Sequence, residues 1–191
     1  MCLSQVQTKD ENALGELILD YLKVKYPNER LNSFIYIGIQ RHKLYLFQDG
    51  RLQNVFLVAT AINGAGNLLS SKQTPTGLHF IKEKIGDNAP IGTLFINKNN
   101  TGEVVPIYSE KLKNPKDEIT TRILSLQGKE YGLNKGKKMD TFYRGIYIHG
   151  TSEEASLGHP SSHGCVRMRN TDIVDLFDSV EIGFNVILLD N

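Results

Sequence analysis

The chain has 191 residues, 22 basic and 21 acidic side chains, and a formal charge of +1. That length fits one domain with a short extension, hiding roughly 70% of its unfolded surface and needing no disulfide or metal to fold. A 40% hydrophobic and 23% charged composition excludes a disordered chain. Balanced charge leaves no footprint for nucleic acid or an anionic membrane surface. No run of about 18 apolar residues is present, so no membrane-spanning helix is expected. The first residues, Met1 to Glu11, lack a basic region followed by an apolar run and do not read as a secretory signal. If Met1 is the natural start, the cytosol is the expected compartment. Cys2 and Cys165 are too far apart and too few to form a disulfide framework.

In chain order, residues 1–32 read as a helical extension and 33–191 as a mainly β domain. Leu14, Leu17, Ile18, Tyr21 and Leu22 recur at helical spacing. Thr8 and Glu11 resemble a capping box, and Pro27-Asn28 supplies a stop. From Phe34 the period becomes two, with Ile35, Ile37 and Ile39 on one face. Strands are expected at Phe34–Ile39, Leu44–Phe47 and Val55–Thr60, with Asp49-Gly50 as the turn between the last two. Further strands are expected at Leu78–Lys82, Thr93–Ile96, Val104–Ile107, Ile119–Leu126, Gly145–His149 and Val186–Leu189. A helix begins near Asn170 or Thr171, either of which can cap it, and buries Ile173, Val174, Leu176 and Phe177. Apart from its strand candidate, Lys111–Arg144 reads as a lid or surface excursion. Many short strands with turns between them predict a β-sandwich or barrel.

Chemistry concentrates in Tyr147-Ile148-His149-Gly150-Thr151 and Ser161-Ser162-His163-Gly164-Cys165-Val166-Arg167-Met168. A free thiol is a weak nucleophile at neutral pH. A neighbouring imidazole takes its proton, and the imidazolium then steadies the thiolate. A turn at His163-Gly164-Cys165 can aim several amides at a developing oxyanion. Arg167 offers a bidentate fork to a substrate carboxylate. The residues by themselves leave other readings open. Cys165 is also a small apolar residue of the kind that fills cores. His149, His159, His163 and Cys165 include donors enough for zinc, although no paired Cys-x-x-Cys accompanies them.

His149-Gly150 followed by Ser162-His163-Gly164-Cys165-Val166-Arg167 resembles the signature of the L,D-transpeptidase catalytic domain, the YkuD family. Thr74-Pro75-Thr76-Gly77 is similar to that family's Thr-Pro-x-Gly turn, and Lys43–Phe47 with Asp49-Gly50 to its opening hairpin. The resemblance spans about residues 33–190. It implies that Cys165 is the nucleophile and His149 the base, oriented by a carbonyl near Gly150. The amides of His163, Gly164 and Cys165 form the oxyanion hole, and Ser162 orders the turn. Arg167, Ser162 and Tyr147 contact substrate, with no metal or cofactor required. His79 and His159 are expected to be structural or surface residues.

The implied reaction is attack at the bond between the L-centre of a diamino acid and the terminal D-alanine of a peptidoglycan tetrapeptide or muropeptide. Water as acceptor makes an L,D-carboxypeptidase, the reading a cytosolic start favours. An amine acceptor makes a cross-linking transpeptidase, located in the periplasm or cell wall if a leader has been removed. A non-catalytic wall-peptide binding module is the third reading. The resemblance also implies a carbapenem adduct on Cys165.

Overall fold

The computed structural model describes residues 9–111 and 116–191, with side chains from residue 13. The capping box expected at Thr8 and Glu11 lies outside the described residues. Helix α1 (Lys9–Lys25) stops before Pro27. It buries Ile18 and Leu22 against Phe34, Tyr36, Tyr45 and Phe47, with Leu14 and Leu19 partly covered. The buried row is therefore narrower than the apolar stripe of the sequence. Leu17 and Tyr21, at its edge, are 67% and 50% exposed.

Ten strands follow: β1 (Phe34–Gly38), β2 (Lys43–Gln48), β3 (Arg51–Ala59), β4 (Gly77–Ile85), β5 (Thr93–Ile96), β6 (Asn99–Val104), β7 (Ile119–Gly128), β8 (Tyr147–Thr151), β9 (Val166–Met168) and β10 (Asn185–Leu189). Helix α2 (Asn170–Ser179) lies between β9 and β10. The strand order is β4-β10-β1-β2-β3-β9-β8-β7-β5-β6, and β4 also pairs with β7. Eight strands thus close into a ring, while the β5–β6 hairpin hangs from the β7 edge. Closure removes the exposed edges that an open sheet would carry. Two pairings are parallel, β1 with β10 and β8 with β9.

The period-two pattern sorts the faces. Ile35, Ile37, Leu44, Leu46, Ile148, Val166, Met168 and Leu188 point into one core, which Ile173, Leu176 and Phe177 of α2 complete. The residues between them on β1 and β2 lie under α1, so β1 is buried throughout. Each fully buried side chain of this size contributes roughly 1.5–3 kcal/mol. Asp49 and Gly50 both adopt positive φ (50° and 71°), the type I′ geometry that matches strand twist. Pairing therefore starts at Arg51, ahead of the expected Val55.

Three expectations change. The strand expected at Val104–Ile107 is instead β6, ending at Val104. Asn97 and Lys98, both at positive φ, close a two-residue turn, so pairing resumes at Asn99. Every β6 residue is exposed, which removes any hydrophobic signal. Secondly, neither Asn170 nor Thr171 caps α2 with its side chain. Asn170 turns inward, where its Oδ1 accepts from the hydroxyls of Thr120 and Thr121. The carboxylate of Glu154 instead receives the Asn170 N–H at 2.8 Å, placing negative charge at the helix N-terminus. Thirdly, the stretch after the strand expected at Ile119–Leu126, which forms as β7, is not a free lid. Its end is clamped by Asn134, whose Nδ2 donates to the Thr76 and Leu78 carbonyls, and by Glu130, which accepts the Leu78 N–H.

Candidate active site

The β8–β9 ladder builds the site. Ile148 pairs with Val166 and His149 with Arg167 in parallel register. Alternation puts Ile148, Val166 and Met168 in the core. It puts Tyr147, His149, Cys165 and Arg167 on the opposite face. Gly150 sits where Asn170 and Thr120 crowd the backbone. A Cβ there would meet Asn170 Oδ1 at 2.6 Å and the Thr120 carbonyl at 2.7 Å.

Cys165 stands one residue before β9 and is half-buried. Its Sγ accepts the Tyr147 N–H at 3.4 Å and points its own hydrogen toward the Gly145 carbonyl at 3.5 Å. The turn before it is held from within. Ser162 Oγ donates to the Cys165 carbonyl at 2.6 Å and accepts the Gly164 N–H at 3.3 Å. Gly164 has φ 133°, and a Cβ there would come within 3.1 Å of Ile146 and 3.4 Å of the Gln73 carbonyl. The loop rests on the end of β3, with the Ser161 and Ser162 amides donating to the Thr60 carbonyl. Of the three amides expected at the oxyanion, Gly164's is thus turned onto Ser162 in the resting site.

His149 is buried, and its Nδ1 lies 2.7 Å from the Gly150 carbonyl. A carbonyl only accepts, so Nδ1 carries the proton and Nε2 is the basic nitrogen. Burial pulls the imidazole down to about 4, against the smaller opposing effects of the Gly150 carbonyl and Asp117. Burial also pushes the Cys165 thiol up to about 12, although the Tyr147 amide and the charges of Arg167 and Arg144 favour the thiolate. Burial of both groups thus works against the thiolate–imidazolium pair expected from the sequence and favours the neutral thiol and imidazole.

Arg167 also departs from expectation. Its side chain is 1% exposed, too enclosed to receive a substrate carboxylate directly. It pairs with Asp117, from the loop before β7, and lies 3.3 Å from Glu153. Glu153 accepts the Lys116 and Asp117 amides through its other oxygen, at 2.7 and 3.3 Å. Asp117 also meets His163 Nδ1 at 2.6 Å, and the His163 ring is otherwise exposed. Burial alone would raise the Asp117 carboxyl, but Arg167 and His163 together hold it below the ordinary range. Asp117 thus links the cysteine turn to a distant loop.

Tyr147 is half-buried, and burial, with Cys165 and Glu83 nearby, raises its phenol. His79 is fully enclosed, bonded to the Gly77 carbonyl and to Thr141 Oγ1, both at 3.0 Å. His159 is exposed in the loop between the motif halves. Sequence reasoning missed Asp117, Glu153 and Arg144. Arg144 donates to the Gly66 and Gln73 carbonyls at 3.0 and 2.5 Å and places its charge toward Cys165. No spacing rule announces Asp117, 46 positions from His163 and 50 from Arg167. Among the described residues, no cluster of three or more His, Cys, Asp or Glu side chains is arranged to hold a metal ion. No helix there is long and apolar enough to cross a membrane.

A half-buried cysteine and a buried histidine with a fixed tautomer thus share one face of a closed β ring. The profile of the YkuD family, the L,D-transpeptidase catalytic domain, matches residues 32–188, and the chain belongs to that family of peptidoglycan enzymes. The chain is 43% identical over 44 residues to YqjB of Bacillus subtilis, covering 23% of this chain and 25% of that one. It is 31% identical over 93 residues to YkuD of the same organism, covering 49% and 46% respectively. Both relatives carry the L,D-transpeptidase name, and the matched segments span less than half of either. L,D-transpeptidase 3 from Mycobacterium tuberculosis, solved with a faropenem-derived adduct, superposes with a TM-score of 0.51 at 14% identity, covering 83% of this chain and 60% of that one. At that identity the likeness is one of fold.

Proposed function

We propose that the chain is a cysteine acyl-transfer enzyme that opens the bond between the L-centre of a diamino acid and the terminal D-alanine of peptidoglycan tetrapeptide stems. The observation that carries this reading is the tautomer of His149. With Nδ1 committed to Gly150, only Nε2 is free to act as base on the face it shares with Cys165. Cys165 attacks the carbonyl carbon as its proton passes to His149 Nε2. The tetrahedral oxyanion collapses and the C–N bond breaks. The D-alanine nitrogen takes the proton from His149, and a thioester remains. Because burial favours the neutral form of both groups, proton transfer accompanies attack, and the developing thiolate meets the Arg167 and Arg144 charges.

Water as acceptor regenerates the thiol and gives a tripeptide, the carboxypeptidase outcome. An amine gives a cross-link. Asp117 is the positioning residue, holding Arg167 and the His163 ring so that the turn carrying Cys165 stays in register. The test is mass spectrometry of products from a defined tetrapeptide, with and without an amine acceptor. D-Alanine release with tripeptide establishes hydrolysis, and dimers establish transfer. No D-alanine from either incubation overturns the reading. So does full turnover by Cys165→Ala, since no thioester can form without the thiol.

A further inference from the structure

The strand that carries His149 lies against an irregular stretch of β7. Thr120 pairs with Gly150 and Ile123 with His149, so Thr121 and Arg122 bulge out opposite two adjacent residues of β8. Thr121 sits at φ 67°, a left-handed conformation that a β-branched residue adopts only under strain. Two hydrogen bonds hold it there. Its hydroxyl accepts the Gly92 N–H at 2.9 Å and donates to Asn170 Oδ1 at 2.5 Å. The Thr120 hydroxyl donates to the same oxygen at 2.7 Å.

Asn170 is 1% exposed and follows β9 by two residues, so it reaches the bulge from the segment that carries Cys165 and Arg167. Its Nδ2 donates to the Thr151 carbonyl at 2.7 Å and to Glu154 Oε1 at 2.8 Å. A carbonyl and a carboxylate only accept, which fixes the orientation of the amide. Two bonds accepted and two donated use the whole capacity of the side chain. An aspartate of the same shape would set a second carboxylate against Glu154 and the Thr151 carbonyl, so the site demands an amide. Gly150 is packed between the Thr120 backbone and this amide, and its carbonyl accepts the His149 Nδ1 hydrogen.

We propose that Asn170 is a positioning residue that sets the tautomer of His149 by fixing the Gly150 peptide. The inference rests on the acyl-transfer reading above for its consequence in turnover, and adds to it the group that holds the base. Among the described residues, Asn170 bonds neither the ring nor the thiol and acts through Thr151 and the β7 bulge. With the Gly150 carbonyl free to turn, the neutral ring carries its proton on Nε2 as readily as on Nδ1. The face toward Cys165 then presents a hydrogen in place of a lone pair.

The test reads the tautomer from ring ¹⁵N–¹H correlation spectra of the histidine-labelled chain, with His79 as an internal control for the fold. His149→Gln identifies the signal. The intact chain is expected to show His149 as a single Nδ1–H tautomer at neutral pH. Asn170→Ala and Thr121→Val should each turn it into a tautomer mixture and leave the His79 signals in place. Each should lower kcat for D-alanine release about 10–100-fold, with KM changed less than about threefold. Thr121→Ser, which keeps the hydroxyl, should recover the tautomer and bring kcat within about threefold of the intact chain. A merely structural asparagine would cost stability without moving the tautomer. A mixture in the intact chain overturns the proposal and needs no variant to fold. So does a single Nδ1–H tautomer retained in either folded variant, and Thr121→Val decides where Asn170→Ala does not fold. If the intact chain releases no D-alanine while its tautomer still follows Asn170, the acyl-transfer reading fails and the tautomer inference stands.

Discussion

The molecule buries two histidines in opposite circumstances. His79, on β4, and His149, on β8, are both enclosed, and burial pulls both down to about 4. Each has Nδ1 against a backbone carbonyl, Gly77 for one and Gly150 for the other. The difference lies at the second nitrogen. His79 Nε2 is bonded to Thr141 Oγ1, which joins β4 to the 129–144 segment. His149 Nε2 has no such partner among the described residues. Burial and lowered basicity are thus common to both rings, and availability of the second nitrogen separates the proposed base from a strut.

The comparison is broken most severely at the catalytic pair. Cys165→Ser is expected to lower turnover by at least about 10³-fold, and His149→Gln by about 10²–10⁴-fold, in D-alanine release from tetrapeptide. His79→Ala should instead unfold the protein more easily, by about 2–4 kcal/mol in urea titration, because it leaves a cavity and two unpaired polar groups. Its kcat at a temperature where it stays folded should change less than tenfold. Catalysis lost from the folded His79 variant would contradict the division of roles.

Acid sharpens the comparison by treating both rings alike. Each folded pKa lies near 4, below the unfolded value near 6.5, so the unfolded chain binds more protons between those limits. The stability of the neutral rings is fully present above pH 6.5 and declines as pH falls toward 4. The expected contribution to the slope reaches about 2.7 kcal/mol per pH unit for the two protons. Substituting either histidine by Gln should about halve it, as measured by urea unfolding at several pH values. The acid limb of Cys165 acylation by a carbapenem should lie near pH 4, since His149 remains a neutral base down to that point. A limb centred at 6.5 would show that the ring is more hydrated than its burial indicates.

The smallest effect falls on the network beside the pair. Asp117→Asn keeps the shape but removes a charge from Arg167 and His163. It is expected to cut kcat/KM by about tenfold and to leave carbapenem acylation of Cys165 detectable. Asp117→Glu should restore part of the loss if position and charge both matter.

Legibility in the sequence followed the range of the interactions. The Asp49-Gly50 turn, the β1 alternation and the α2 apolar row are encoded by neighbours, so the sequence located them to within a few residues. Cys165 and His149 were legible because a short motif specifies a strand end and a turn. β6 was not, since every residue of it is exposed. Arg167 was visible as a residue but misread as a ligand for substrate, because its partners come from loops far away in the chain.

The amino-acid order alone determined the family and the mainly β architecture, and it singled out the candidate thiol and imidazole, since each depends on local periodicity or a compact motif. Closure of β4 onto β7, the desolvation of Cys165 and His149, and the enclosure of Arg167 by Asp117 and Glu153 were decided only in three dimensions. These depend on desolvation and on contacts between distant segments, and both arise when the ring closes.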